Sequence, residues 1–295
     1  MNFIIWGILA RACELYRVRV CGFVILGNHF HFIIVVERPE DVPAWIGYVK
    51  AEIAHAVNKL QGKRRKTVWQ EGCDSPILLT PEDVVRYMAY IYANPAKANL
   101  EDSIDKYPGV SSWEMFVNNE SHKFCKRVSR PRLERIEGTC QSINEQKALV
   151  STLEREIKKV SKLTIEPFAW IDSFDELTRA DIPDLREEIV SRVRGLESEA
   201  RVARKSMGRS ILGATALRRQ SMDKQYEPKK FSPKMICISS CKELRKRFLG
   251  YYRSLCEYAK EAYEAWRRGD YSRKIPPGMF APPPPLLASA LPLRV

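Results

Sequence analysis

Four side chains in this sequence have the types and spacing to do chemistry together. His29-Phe30-His31 places two of the chain's four histidines two residues apart. On a strand, residues i and i+2 share a face, so both imidazoles project to one side while Phe30 and Phe32 project to the other. Two neighbouring imidazoles are costly to protonate together and well suited to hold a divalent cation. They are also what an ordinary core or surface pair looks like, and the spacing leaves both readings open. Tyr90 and Asn94 form a second pair, four residues apart on a segment of helical character, and so stack on one helix face. A tyrosine oxygen can attack phosphorus, and an amide oxygen can serve as a third metal ligand. Tyr87 and Tyr92 compete for the first role. Tyr92 lies about 200° around the helix from Tyr90, so the two cannot share it.

The elements that must position these groups are legible around them. Residues 3–16 read as a buried helix; the faint lipoprotein-like box at Ala10-Arg11-Ala12-Cys13 has no basic residue before its apolar run. Residues 17–36 read as a β-hairpin turning at Gly27-Asn28, a pair able to take positive φ. Asp41 reads as the cap of a helix bearing Trp45, Val49, Ile53, Val57 and Leu60 at helical spacing. Thr80-Pro81-Glu82-Asp83 is a helix start, and Pro95 sets the expected end near Asn94. Residues 142–161 and 184–204 read as charged amphipathic helices. Ser240-x-x-Glu243 reads as a capping box opening a helix to about Arg268, with Gly269 as its stop, and Pro276 to Val295 as an extended tail.

The net charge of +13 is unevenly placed. Residues 1–115 carry 13 basic and 13 acidic groups, whereas residues 116–295 carry 36 and 23. Such a surplus suits phosphate backbones or anionic membranes, or is simply a solvated surface. No run of 18 apolar residues occurs, which argues against a membrane span and against a membrane partner. The eight cysteines form no CxxC pair, and a reducing cytoplasmic setting is expected. Cys237-x3-Cys241 lacks a second pair at zinc-ligand spacing. Lys50 and the basic loop Lys63, Arg64, Arg65 and Lys66 are candidate contacts to a nucleic-acid backbone. Further on, Arg201, Arg204, Lys205, Arg209, Arg218 and Arg219 surround Ile211, Leu212 and Leu217, which reads as a small helical DNA-binding unit or as a plain basic helix pair.

Four segments occur in order: Leu26-Gly-Asn-His-Phe-His-Phe-Ile-Ile-Val-Val36, Val68-Trp-Gln-Glu-Gly72, Tyr90-Ile-Tyr-Ala-Asn-Pro-Ala-Lys-Ala98 and Tyr107-Pro-Gly-Val-Ser-Ser112. Over about residues 12–116 this resembles the single-tyrosine HUH transposases, in the branch associated with repetitive extragenic palindromes. The resemblance implies an α/β (α+β) fold, with a ferredoxin-like antiparallel sheet and helices at residues 1–117. The family's usual first strand has no counterpart here, and Asn99 stands where the family commonly has glycine. A basic, mainly helical extension (118–274) and a proline-rich tail (275–295) lie outside the resemblance. It implies a transposase-like enzyme that cuts and rejoins single-stranded DNA beside a hairpin through a 5′-phosphotyrosine intermediate. In that reading Tyr90 is the nucleophile, and His29, His31 and Asn94 hold Mg²⁺ or Mn²⁺. A catalytically silent DNA-binding derivative, and a replication initiator or relaxase, are the competing expectations. Oligomeric state is left open.

Overall fold

The central strand, Val18–Ile25 (β1), changes face partway along its length. Val18 and Val20 are buried in one apolar cluster, Cys21 in the other, and then Phe23 and Ile25 return to the first while Val24 and Leu26 join the second. The even residues thus face one way before Gly22 and the odd ones after it. The cause is a β-bulge: pairing with Phe30–Val36 (β2) shifts register between Val20 and Gly22, and one extra residue inverts the alternation of everything beyond it. Gly22 has a second constraint. A Cβ there would lie 2.8 Å from the hydroxyl of Tyr92.

A computed structural model describes residues 1–63, 66–126, 160–220, 234–279 and 282–283. Arg64, Arg65, most of the expected helix at 142–161 and most of the tail lie outside the described residues. The architecture is α+β, as expected. β1 is flanked by antiparallel β2 and Val110–Ser111 (β4) in the order β2-β1-β4. On one face lie Asn2–Leu15 (α1), Asp41–Leu60 (α2) and the hairpin-like pair His122–Lys126 (β5) and Val160–Thr164 (β6), contributing Leu9, Trp45, Val49 and Leu163 to the core. Residues 160 and 161, expected to end a helix, therefore open a strand. On the other face Pro81–Lys97 (α3) contributes Val85, Met88 and Tyr92, and Ile182–Ser206 (α5) covers it with Ile189 and Val193. Each such buried aliphatic is worth roughly 1.5–3 kcal/mol relative to exposure. Trp113–Val117 (α4) adds Trp113 and Phe116. Core residues before and after position 117 thus interdigitate in both layers. Ile77–Leu78 (β3) pairs in parallel with Cys237–Ile238 (β7), after Ala214–Arg219 (α6) and before Lys242–Arg267 (α7).

Several local expectations are corrected. Asp41 is the first residue of α2 rather than its cap; its carboxylate takes hydrogen bonds at 3.3 and 2.7 Å from Arg38. Neither Gly27 nor Asn28 has positive φ; the hairpin closes with Leu26 N–H donating to the His29 carbonyl at 2.8 Å. The Ser240 capping box does not form. α7 starts after Cys241, and Ser240 instead donates both its backbone N–H (2.8 Å) and its hydroxyl (3.1 Å) to Asp83 in the first turn of α3. Gly269, at φ 87°, does stop α7. Most consequential, α3 does not end at Asn94. It runs through Pro95 to Lys97. A proline this close to the C-terminus deprives only the Ile91 carbonyl of its helical donor, and its own carbonyl accepts from the N–H groups of Leu100 (2.9 Å) and Glu101 (3.3 Å).

Among the described residues no helix is long and apolar enough to cross a membrane. The seven described cysteines are free.

Candidate active site

Strand and helix periodicity bring the four chemistry-bearing residues together. β2 presents Phe30 and Phe32 to the α2 side, where Phe30 meets Trp69 (centroids 5.2 Å) and Phe32 meets Trp45 (4.9 Å). Trp69 is itself fixed by donating to the Lys50 carbonyl at 2.9 Å. His31 takes the opposite face, toward α3, and His29 stands beside it with ring centroids 5.1 Å apart and planes at 88°. α3 is fixed at its start by Thr80, whose hydroxyl accepts from the Asp83 N–H at 3.1 Å. Three turns later Tyr90 meets the His31 ring edge-on at 5.8 Å. One turn further, the amide nitrogen of buried Asn94 donates to Nε2 of His31 at 2.9 Å. The extension of α3 past Pro95 matters here, because it carries Lys97 to 4.4 Å above the Tyr90 ring.

The imidazoles are held neutral. Burial lowers the His29 pKa, and burial followed by repulsion from His29 pushes His31 down to about 4. His29 donates from Nδ1 to Oδ1 of Asn28 at 2.7 Å, which leaves its Nε2 lone pair available. Two neutral imidazoles and one amide oxygen are a nitrogen-rich set that suits first-row transition cations; Mg²⁺ or Mn²⁺, which favour oxygen, would need water and a substrate phosphate to supply the remaining ligands. Among the described residues no group of three His, Cys, Asp or Glu could hold a metal, so the Cys237–Cys241 spacing finds no such partners, and the side-chain amide of Asn94 is the group that meets His31. As arranged here the Asn94 amide nitrogen takes up the His31 Nε2 lone pair, so holding a cation would require that amide to turn its oxygen toward the histidines.

The three tyrosines of α3 divide as helix geometry demands. Tyr90 is half-buried, and its hydroxyl makes no hydrogen bond among the described residues. Tyr87 stacks on it at 5.4 Å, with its own pKa raised by burial and by nearby Tyr90 and Asp74. Tyr92 points to the opposite side. It is fully buried, its hydroxyl 2.9 Å from that of Ser112, and burial drives its pKa up. Ser112 in turn takes the N–H of Phe23 at 2.8 Å, and Tyr107 donates to the Ile25 carbonyl at 3.0 Å. The Tyr107–Ser112 segment therefore serves as a brace for β1.

The expected DNA contacts separate into two groups. Lys50 is committed internally: its ammonium donates to the carbonyls of Gln70 (2.9 Å) and Gly72 (2.7 Å), tying down the loop that carries Trp69. Arg204 is also committed. It is buried, pairs with Asp102 and donates to the Ala96 carbonyl and to Asn99 Oδ1, both at 3.3 Å. Lys66 is half-buried, its backbone held by Asn58, while Lys63, Lys205 and Arg209 are exposed. Sequence reasoning missed Lys97 and Asn28. Lys97 had a signal, since it lies seven residues and two helical turns beyond Tyr90 on the same face. No family model, no curated protein and no solved structure matches this chain.

Proposed function

We propose that this protein cleaves and rejoins single-stranded DNA beside a hairpin, in the manner of a single-tyrosine HUH transposase. The observation that carries the reading is the meeting of Tyr90 and Asn94, one turn apart on α3, with the neutral His29 and His31 pair. The Tyr90 oxygen attacks the scissile phosphorus in line with the departing 3′ oxygen. A phosphorus–oxygen bond to Tyr90 forms as the bond to the 3′ oxygen breaks; the tyrosine loses its proton and the departing oxygen gains one. The products are a 5′-phosphotyrosine and a free 3′-OH, and attack by a 3′-OH reverses the step without ATP. His29, His31 and Asn94 would hold a divalent cation, which when bound polarises the phosphate. Tyr87 and Lys97, both packed against the Tyr90 ring, restrict its orientation.

Incubating the protein with labelled hairpin-flanked single strands and Mn²⁺ tests this. A covalent adduct mapping to the Tyr90 peptide, absent in Tyr90→Phe with DNA affinity retained, is the expected result. An adduct surviving in Tyr90→Phe and lost in Tyr92→Phe would overturn it. DNA binding by the wild type with no adduct on any strand would favour the catalytically silent alternative.

A further inference from the structure

Residues 200–220 contain six basic side chains and no acidic one. This contrasts with the preceding turns of α5, where the arginines are matched. Arg186 donates to the Phe116 carbonyl and to Asn119, Arg192 pairs with Glu82 at 2.6 Å, and Arg194 pairs with Asp105 at 2.6 Å. Between residues 200 and 220, Arg204 alone is matched. Arg201, Lys205, Arg209, Arg218 and Arg219 are exposed and form no ion pair among the described residues.

The placement of this unmatched charge is anchored at one end and lies beside the histidine hairpin at the other. The Leu212 N–H donates to the Asn99 carbonyl at 2.9 Å and the Gly213 N–H to the Leu100 carbonyl at 3.0 Å, anchoring the start of α6 just past the C-terminus of α3. At the other end Gln220, the residue after α6, brings its side-chain oxygen within 3.8 Å of where a Cβ on Gly27 would sit. Gly27 is in the hairpin turn, two residues before His29. α6 thus bridges the end of the tyrosine-bearing helix and the turn of the histidine-bearing hairpin, and its last turn carries Arg218 and Arg219.

We infer that Arg218 and Arg219 form a phosphate-binding rim for single-stranded DNA passing the His29–Tyr90 site. The inference rests on the nucleic-acid reading of that site. Guanidinium groups suit the role because they contact phosphate oxygens in a fixed fork and release condensed counterions on binding. Lys205, in the last turn of α5, and Arg209, just beyond it, are further exposed cations.

The test uses the full chain and a labelled oligo-dT strand, with affinity read by fluorescence anisotropy across a KCl series. In the double variant Arg218→Gln, Arg219→Gln the slope of log affinity against log salt should fall by about 1.4, from two contacts at roughly 0.7 each, and affinity at low salt roughly tenfold. Lysine at both positions should restore most of the slope. A second variant, Lys246→Gln with Arg247→Gln on α7, removes the same charge from another element and should change the slope by less. Wild-type affinity and slope in the α6 variant, or equal losses in both variants, would overturn the inference. Adduct formation by the wild type on hairpin-flanked strands is a separate readout. If no strand gives an adduct with the wild type while the α6 variant still loses its salt slope, the cleavage reading fails and the rim stands.

Discussion

The amide nitrogen of Asn94 lies 2.9 Å from Nε2 of His31, so a single hydrogen bond joins the helix bearing Tyr90 to the strand bearing the histidines. Asn94 is buried, and its partner is a ring held neutral by that same burial. A change at any of the three residues is therefore felt by the other two.

Replacing His29 and His31 together by alanine should abolish metal-dependent cleavage and remove one Mn²⁺ site measured by calorimetry. Asn94→Ala alone should weaken that site by roughly 10–100-fold, because it removes the third donor and also the group orienting His31. Unchanged Mn²⁺ binding in the double histidine variant would return the pair to a purely structural role.

Gly22 and Tyr92 should show strong non-additivity. Gly22→Ala forces a methyl to 2.8 Å from the Tyr92 hydroxyl and should cost about 1–3 kcal/mol. Tyr92→Phe alone should cost about 1–2 kcal/mol through the lost contact with Ser112. In the double variant the clashing oxygen is gone, so its urea-unfolding cost should be well below the sum. Simple additivity would show that the bulge is not held by this contact.

Asp83 makes stability depend on acid. Burial by itself would raise its carboxyl pKa, but hydrogen bonds from Thr80 and Ser240 outweigh that and hold it below the ordinary 3.8. A depressed acid contributes stability that is complete above 3.8 and lost as pH falls through its lower native value. Asp83→Ala should therefore cost about 2–3 kcal/mol at neutral pH and flatten the stability profile below 3.8. A variant with the wild-type acid profile would assign that dependence to other carboxylates.

Arg204→Leu separates structure from DNA contact. It leaves Asp102 without its partner and should cost about 2–3 kcal/mol, less than a fully buried pair because the Asp102 side chain keeps 36% exposure. The salt slope of DNA binding should not move. A drop in slope would show that Arg204 reaches phosphate after all.

Local signals carried far. His29-Phe30-His31 has strand alternation, and Thr80-Pro81-Asp83 has the donors and fixed φ of a helix start; both depend on neighbours in sequence alone. What escaped depended on neighbours in space. Pro95 stays helical because Leu100 and Glu101 satisfy its carbonyl. Ser240 leaves its own helix for Asp83, 157 residues away. Lys50 and Arg204 read as surface cations because composition records charge but not the carbonyls that absorb it. The face change within β1 was invisible because a bulge is a property of pairing with β2, not of β1's own residues.

The two ends of α3 are held by residues made much later than the helix itself: Asp83 by Ser240, and the Asn99–Asp102 segment by Arg204, Leu212 and Gly213. On a translating ribosome this sets an order of events. The roughly 120 residues between Val117 and Ser240 take about 6–25 s to synthesise at ~5–20 residues per second. During that interval Tyr90, His29 and His31 already exist, but the helix that aligns them has its local Thr80 cap and lacks first both and then one of these later fastenings. The nascent chain passes through a stage at which its most reactive residues are present and not yet arranged.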